Sequence, residues 1–251
     1  MLKLNSIHCA DCLEKMKEID DKSIDLILAD LPYGTTACKW DTIIPFEPLW
    51  EQYKRIVKEN HPILLFGSEP FSSHLRFSNI KDYKYDWYWD KKFGGNFVLA
   101  KMMPLKSIET ISVFSSGKIL PNYYPIMTTR ETPIKQGGTK TSSAIPVVNN
   151  KKTHTGKIYD KKYPATRLDF PKDLGNTVHP TQKPVSLMEY LIKTYTNEGD
   201  LVLDNCMGSG TTGVVCKKLN RDFIGIELDP EYFKIAEKRI NENLFKKEET
   251  K

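Results

Sequence analysis

Two short segments hold residue types that could do chemistry. The first, Asp30-Leu31-Pro32-Tyr33, follows the apolar run IDLILA. That run predicts a buried parallel strand, and strand C-termini are where open α/β sheets bind ligands. Pro32 stiffens the backbone, so the Leu31 carbonyl and the Asp30 side chain become paired acceptors, and Tyr33 offers a stacking face. Paired acceptors beside an aromatic suit an amino group on a planar heterocycle, held while its nitrogen attacks a methyl donor. Stacking needs the Tyr33 ring rather than its hydroxyl. Alone, these four residues read equally well as an ordinary turn.

The second segment is LVLDNCMGSGTTGVVCKKL. Gly208, Gly210 and Gly213 satisfy G-x-G-x-x-G between a strand and a helix. Glycines there allow a sharp turn and a ligand approach that a Cβ would block. Glu227 ends the next predicted strand, where an acid can hold ribose hydroxyls. No Lys-Ser or Lys-Thr pair follows the glycines, which excludes a P-loop. A dinucleotide or S-adenosylmethionine fits. Only 24 residues follow Glu227, so strands from earlier in the chain must complete the sheet.

Other elements follow from periodicity. Leu49, Trp50, Tyr53, Ile56 and Val57 predict a helix over 47–60. Pro62 to Phe66 predicts a strand, as do the alternating aromatics Tyr83, Tyr85, Trp87 and Trp89, and then SIETISVFS. Pro184 opens a helix, Leu201 to Leu203 is a strand, Thr211 to Leu219 a helix, and Phe223 to Leu228 a strand. Asp229-Pro230 caps and starts the last helix. Alternating strands and helices predict an α/β fold with a mostly parallel central sheet and helices on both faces.

The 251 residues suit one domain, 1–251, with an insertion. No apolar run approaches the roughly 18–20 residues of a membrane span. The N-terminus has no uninterrupted apolar export core. Five cysteines in such a chain suggest a reducing, cytoplasmic setting. From Glu131 to Pro180, nine Lys and Arg face four Asp and Glu, an excess of five that equals the whole net charge of +5. That stretch is poor in apolar residues and rich in turn formers, so 131–178 reads as a basic, loop-rich insertion. Lys151, Lys152, Lys161, Lys162 and Arg167 are its candidate phosphate contacts.

Together, these segments resemble the amino-methylating DNA methyltransferases of the beta group, whose catalytic motif precedes the glycine-rich motif. The order is circularly permuted relative to the usual S-adenosylmethionine-dependent, Rossmann-like fold. The resemblance covers IDLILADLPYGTTACKWD, HPTQKP, and LVLDNCMGSGTTGVVCKKLNRDFIGIELDPEYFKIAEKRI, and extends weakly through YDWYWDKKFGGN and SIETISVF. It implies catalytic roles for Asp30, Leu31, Pro32 and Tyr33. It implies S-adenosylmethionine contacts from Asp204, Cys206, Gly208, Ser209, Gly210, Thr211, Thr212, Glu227 and Asp229, and from His179, Thr181, Lys183 and Pro184. Asp11 and Cys12 resemble the segment that meets the adenine of the cofactor, although Asp11 equally fits a helix N-cap. Leu31 and Cys206 depart from the family, which usually has proline and phenylalanine there.

The implied activity is methyl transfer to the N6 of adenine in a specific sequence of double-stranded DNA, with the base flipped out. Adenine is favoured because the motif begins with Asp30, whereas the family's cytosine branch more often begins its motif with serine; cytosine N4 is the alternative. A nicotinamide-dependent oxidoreductase fits only the glycine turn, and a non-enzymatic nucleic-acid-binding protein only the basic stretch. No metal is required: Cys9 and Cys12 lack a second pair at zinc-site spacing. The resemblance allows a cognate restriction endonuclease as partner, and a monomer or homodimer in a prokaryotic or phage-encoded setting.

Overall fold

The computed structural model describes residues 2–35, 41–118, 120–135, 158–172 and 182–248. It divides the chain into two compact units, Met1–Tyr124 with Thr166–Lys251, and Pro125–Ala165.

The larger unit is built on an eight-stranded sheet. Its strands are β1 (Ser6–Cys9), β2 (Leu26–Ala29), β3 (Ile63–Gly67), β4 (Tyr83–Gly95), β5 (Lys106–Phe114), β8 (Arg167–Asp169), β9 (Leu201–Asp204) and β10 (Asp222–Glu227). They lie in the order β1-β10-β9-β2-β3-β5-β4-β8, and β5 alone runs against its neighbours. The register Leu26↔Val202 and Ile27↔Leu203 joins the two motif-bearing strands side by side.

Alternation along β2 explains the layers. Ile27 and Ala29 face a cluster with α1 (Cys12–Met16), α2 (Phe46–Ile56) and α3 (Phe71–Ser78). Leu26 and Leu28 face the other way, against α4 (Val185–Tyr195), α5 (Thr211–Lys218) and Ile240 of α6 (Pro230–Glu248). A strand buried on both faces must be apolar at every position, which is why IDLILA shows no alternation. In β4 the aromatics do alternate with exposure: Trp87 and Trp89 are buried, while Tyr88 is exposed. Among the described residues, no helix is long and apolar enough to cross a membrane.

The smaller unit holds the antiparallel pair β6 (Thr128–Lys135) and β7 (Ile158–Lys162). The expected insertion, 131–178, is therefore redrawn. Its compact part starts at Pro125 and ends at Ala165, and Arg167–Asp169 returns to the main sheet beside β4. Leu168 is buried there, and Trp89 Nε1 donates to the Phe170 carbonyl at 2.7 Å. A three-residue strand is too short to announce itself by periodicity. Other differences are small: Pro184 is the N-cap of α4 rather than its first residue, and β1, α1 and α3 are additional.

Gly210 has a different task from the one its motif suggested. Its φ is +76°, and a Cβ there would meet the Ala236 Cβ at 2.9 Å and the Ile240 Cδ1 at 3.1 Å, both on α6. The glycine lets α6 close on the turn; it does not make room for a ligand. Gly210→Ala should therefore destabilise the fold by about 1–3 kcal/mol through strain and overpacking. Thermal unfolding of the variant without ligand is the check, and an unchanged Tm would contradict this packing role.

Candidate active site

A cavity of about 390 Å³ opens in the larger unit, at the C-terminal edge of the sheet. Asp30 enters it after β2, Asp204 and Glu227 at the ends of β9 and β10, and Asp11 to Leu13 at the start of α1. Trp89 and Glu109, paired across β4 and β5, line it as well.

One part of the cavity is framed by buried acids and a tight turn. Glu227 accepts from Gly208 N at 2.7 Å and from Asp229 N at 2.9 Å, which fixes its carboxylate beneath the turn. Asp204 accepts from the Thr212 hydroxyl and from Cys206 N. Burial raises both carboxyls, Asp204 to about 7. Arg239 of α6 donates to the Ser209 carbonyl and hydroxyl, and Tyr53 donates to Asn205 at 2.6 Å. These bonds hold the turn from below. The Cys206 and Cys12 thiols interact in the same wall.

The other part is an alternating row of charges. Lys183, 8% exposed, donates to Asp30 Oδ2 at 2.5 Å and stands 3.5 Å from Glu109 Oε2. Lys91 donates to the second oxygen of Glu109 at 3.1 Å. The Lys183 ammonium also lies 5.0 Å from the Phe66 ring centroid and 6.0 Å from that of Trp89. Burial alone would lower the Lys183 ammonium, but Asp30 and Glu109 outweigh it and hold it above its ordinary value. Burial would raise Glu109, and Lys183 with Lys91 pulls it below the carboxylate range. Asp30 is raised by burial, against the pull of Lys183 and with a push from Glu109. Tyr33 donates to Asp30 Oδ1 at 2.7 Å, and its ring packs on Phe71 at 5.0 Å between centroids. The hydroxyl thus has a partner of its own, in addition to the stacking face expected of the ring.

The expected residues sort clearly. Asp30, Leu31, Pro32 and Tyr33 line the cavity, with Asp11, Cys12, Lys183, Asp204, Cys206, Gly208, Ser209, Thr211, Thr212 and Glu227. Asp11 also caps α1, accepting from Leu13 N and Glu14 N, so both readings of it hold geometrically. Three residues stand outside the cavity lining. Gly210 packs under α6, Pro184 caps α4, and Asp229 caps α6 through Glu231 N and Tyr232 N. Lys183 reaches the cavity, where its ion-pair partners are Asp30 and Glu109 rather than the acids around the glycine turn. His179, Thr181, Lys151 and Lys152 lie outside the described residues. Lys161 and Lys162 are exposed on β7. Arg167 lies on β8 of the larger unit, ion-paired with Asp90 and Asp169, so it is neither in the smaller unit nor an uncommitted cation.

Sequence reasoning missed Glu109, although a signal existed. In β5, Glu109 shares the parity of the buried Ile111 and Val113, so an acid stands at a core-facing position. Arg239 had no comparable signal.

A parallel sheet with a glycine turn and acids at successive strand ends defines a nucleotide-type cofactor fold with a substrate carboxylate beside it. The DNA methylase family model matches residues 24–238. The type II methyltransferase M1.MboII of Moraxella bovis is 30% identical over 96% of this chain and 98% of its own. The DNA adenine methyltransferase YhdJ of Escherichia coli is 30% identical over 94% of this chain and 82% of its own. The solved complex of M1.HpyAVI with SAM superimposes with a TM-score of 0.61 at 27% identity, covering 94% of this chain and 98% of that one. The cytosine-N4-specific PvuII methyltransferase shares the fold, with a TM-score of 0.66 at 18% identity over 93% and 85% of the two chains. The chain belongs to the N6/N4 DNA methylase family and is a DNA methyltransferase that uses S-adenosylmethionine.

Removing Lys183 tests the charge row. Lys183→Met removes the cation between Asp30 and Glu109 and leaves Lys91 on Glu109 alone, which should cost about 2–4 kcal/mol. In the variant, the folded-state Asp30 carboxyl should titrate further above its unfolded value, and Glu109, still paired with Lys91, should rise from its lowered value. The penalty is then present at high pH and relieved as pH falls through those raised pKa values. Urea unfolding across pH is the measurement. A loss independent of pH would disprove the electrostatic account.

Proposed function

We propose that this methyltransferase acts on the exocyclic N6 of adenine in a specific sequence of duplex DNA, with the target base flipped into the cavity. The observation that carries the reading is the placement of Asp30 in one cavity with the acid-framed glycine turn.

The cavity residues fit S-adenosylmethionine chemically. Glu227, fixed beneath the turn, suits ribose hydroxyls, and Asp204 suits an α-ammonium. The segment from Asp11 to Leu13 suits the adenine. When bound, the cofactor supplies an electrophilic methyl group on a sulfonium.

The target amine is a poor nucleophile because its lone pair is delocalised into the ring. Asp30 and the Leu31 carbonyl accept its two N–H bonds, which favours a pyramidal nitrogen with its lone pair aimed at the methyl carbon. The negative carboxylate stabilises positive charge developing on that nitrogen, and in-line placement contributes the rest. After transfer, the surplus proton leaves through Asp30, whose raised pKa suits it as the acceptor. Tyr33 stacks on the base and steadies Asp30 through its hydroxyl. The target atom is unreachable inside a duplex, so the base must leave the stack.

Adenine is favoured because the motif begins with Asp30, and because the relative YhdJ is named a DNA adenine methyltransferase. Cytosine N4 is the second reading, which the family includes. Lys161 and Lys162 in the smaller unit are proposed phosphate contacts for target recognition. The type II relatives extend the proposal to a cognate restriction endonuclease and a cytoplasmic setting.

Asp30→Ala should abolish methyl transfer while keeping most cofactor affinity, since about 3–4 kcal/mol of transition-state stabilisation is lost. Tritium transfer from labelled cofactor into DNA, followed by nucleoside chromatography, is the assay. N6-methyl-deoxyadenosine is the expected product. N4-methyl-deoxycytidine would refute the base assignment but keep the mechanism, and full activity in Asp30→Ala would end both.

Cofactor affinity should also depend on pH. Asp204 titrates at about 7, and a bound ammonium favours the ionised carboxylate. Affinity should therefore rise as pH climbs from about 6 toward 7.5, still below the usual range for loss of an α-ammonium proton. Asp204→Asn should bind more weakly and lose that rise; calorimetry showing the same rise in the variant would exclude Asp204 as its source.

A further inference from the structure

The hairpin joining β4 to β5 has no part in the mechanism. It is a defined structure. Gly94 packs under Leu105, Asn96 turns the chain at a φ of +69°, and Phe97 to Leu99 form a single 3₁₀ turn at the tip. Yet its side chains face solvent: Phe97 is 79% exposed, Val98 95% and Met102 76%. Exposed apolar side chains clustered in this way mark an interaction site.

Three observations identify what covers it. First, β4 runs with β3 and β2, because β5 opposes both of its neighbours. The hairpin therefore leaves the sheet at the edge where the cavity opens, immediately beyond its lining pair Trp89 and Glu109. Second, the segment from Lys91 to Ile108 contains four lysines and no acid. Lys91 and Lys92 are paired with carboxylates from outside it, whereas Lys101 and Lys106 have no carboxylate partner among the described residues. Third, a two-fold dimer through this hairpin would set the same basic patch against itself, and like charges oppose that contact. A polyanion with an apolar interior has the matching chemistry.

We propose that this hairpin is the element that enters the duplex, with Phe97 and Val98 filling the gap left by the flipped nucleotide and Lys101 and Lys106 on the flanking phosphates. The proposal rests on the base-flipping methyl-transfer reading. Apolar side chains are the usual wedges between base steps, and they offset part of the unstacking cost. Phe97 and Val98 are suited to that task because they are already exposed, so no core is opened to use them.

The test uses the full chain and a duplex carrying the target sequence found by modified-base sequencing of host DNA. In one duplex the target base is paired; in a second it faces an abasic site, so pairing no longer opposes flipping. The double variant Phe97→Ala, Val98→Ala should lose about tenfold or more in kcat/KM on the paired duplex and stay within about threefold on the second. Cofactor affinity and Tm should not change. With 2-aminopurine at the target position, the fluorescence gain on binding should be reduced. Lys101→Gln with Lys106→Gln should lower the log–log salt slope of DNA binding by about two. Full activity on the paired duplex, or an equal loss on both duplexes, would overturn the wedge. So would a loss that coincides with dimer dissociation in sedimentation, which would assign the hairpin to self-association. If the unsubstituted protein methylated neither duplex, the methyl-transfer reading itself would fall, and the wedge with it.

Discussion

The site depends on one buried cation. Lys183 stands between the carboxylates of Asp30 and Glu109, with Phe66 and Trp89 around it. Two carboxylates in such a place repel each other and favour protonation, and a protonated Asp30 would be a weaker acceptor for an amine and could not take up its surplus proton. A lysine with three donors and an apolar stem can satisfy both. Lys91 on the far side of Glu109 completes the row. Glu109 Oε2 is buried without a hydrogen bond, so its nearest compensation is the charge of Lys183. The arrangement ties together β2, the β4–β5 hairpin and the segment before α4, three parts of the chain far apart in sequence.

The permuted motif order becomes unimportant at this edge. β2 and β9 are parallel neighbours, so both release their chains on the same side of the sheet. Asp30 and Asp204 leave those adjacent strands into one cavity, although more than two thirds of the sequence separates them. A parallel sheet concentrates strand ends irrespective of chain order. That is the physical reason a glycine turn near the C-terminus can serve a catalytic motif near the N-terminus.

What could be read from sequence follows the same logic. Continuous apolar runs such as IDLILA, and the strand–turn–helix around Gly208, exposed the sheet and the cavity floor because burial on both faces leaves a strong local signal. Both motifs meet where the pattern placed them. Less legible were features set by tertiary neighbours. Gly210 looked like ligand space, but its Cβ position is occupied by α6, which a local motif cannot reveal. Arg167 looked like part of a basic loop, but Leu168 beside it carries the chain back into the sheet. Lys183 sits in a motif associated with the cofactor, and only the fold shows that its ammonium turns toward Asp30. In each case a long-range contact fixes the surroundings of a residue whose local setting allowed two roles.

The two departures from the family motif can be weighed against packing. Leu31 lacks the ring that would fix its backbone, but its side chain is 3% exposed in the cluster formed with α1, α2 and α3. A side chain locked in the core restrains the peptide that follows it, and Pro32 restrains the residue before it. The Leu31 carbonyl is thus held from both sides. Cys206 is smaller than phenylalanine, and the wall it leaves is closed by other means. Its side chain packs against the core cluster that contains Cys12, and the neighbouring Asn205 is anchored by the fully buried Tyr53. In both places rigidity that the family draws from a single ring comes here from surrounding side chains. The geometry of the acceptors therefore depends on the α1–α2 face of the core as much as on the motif itself.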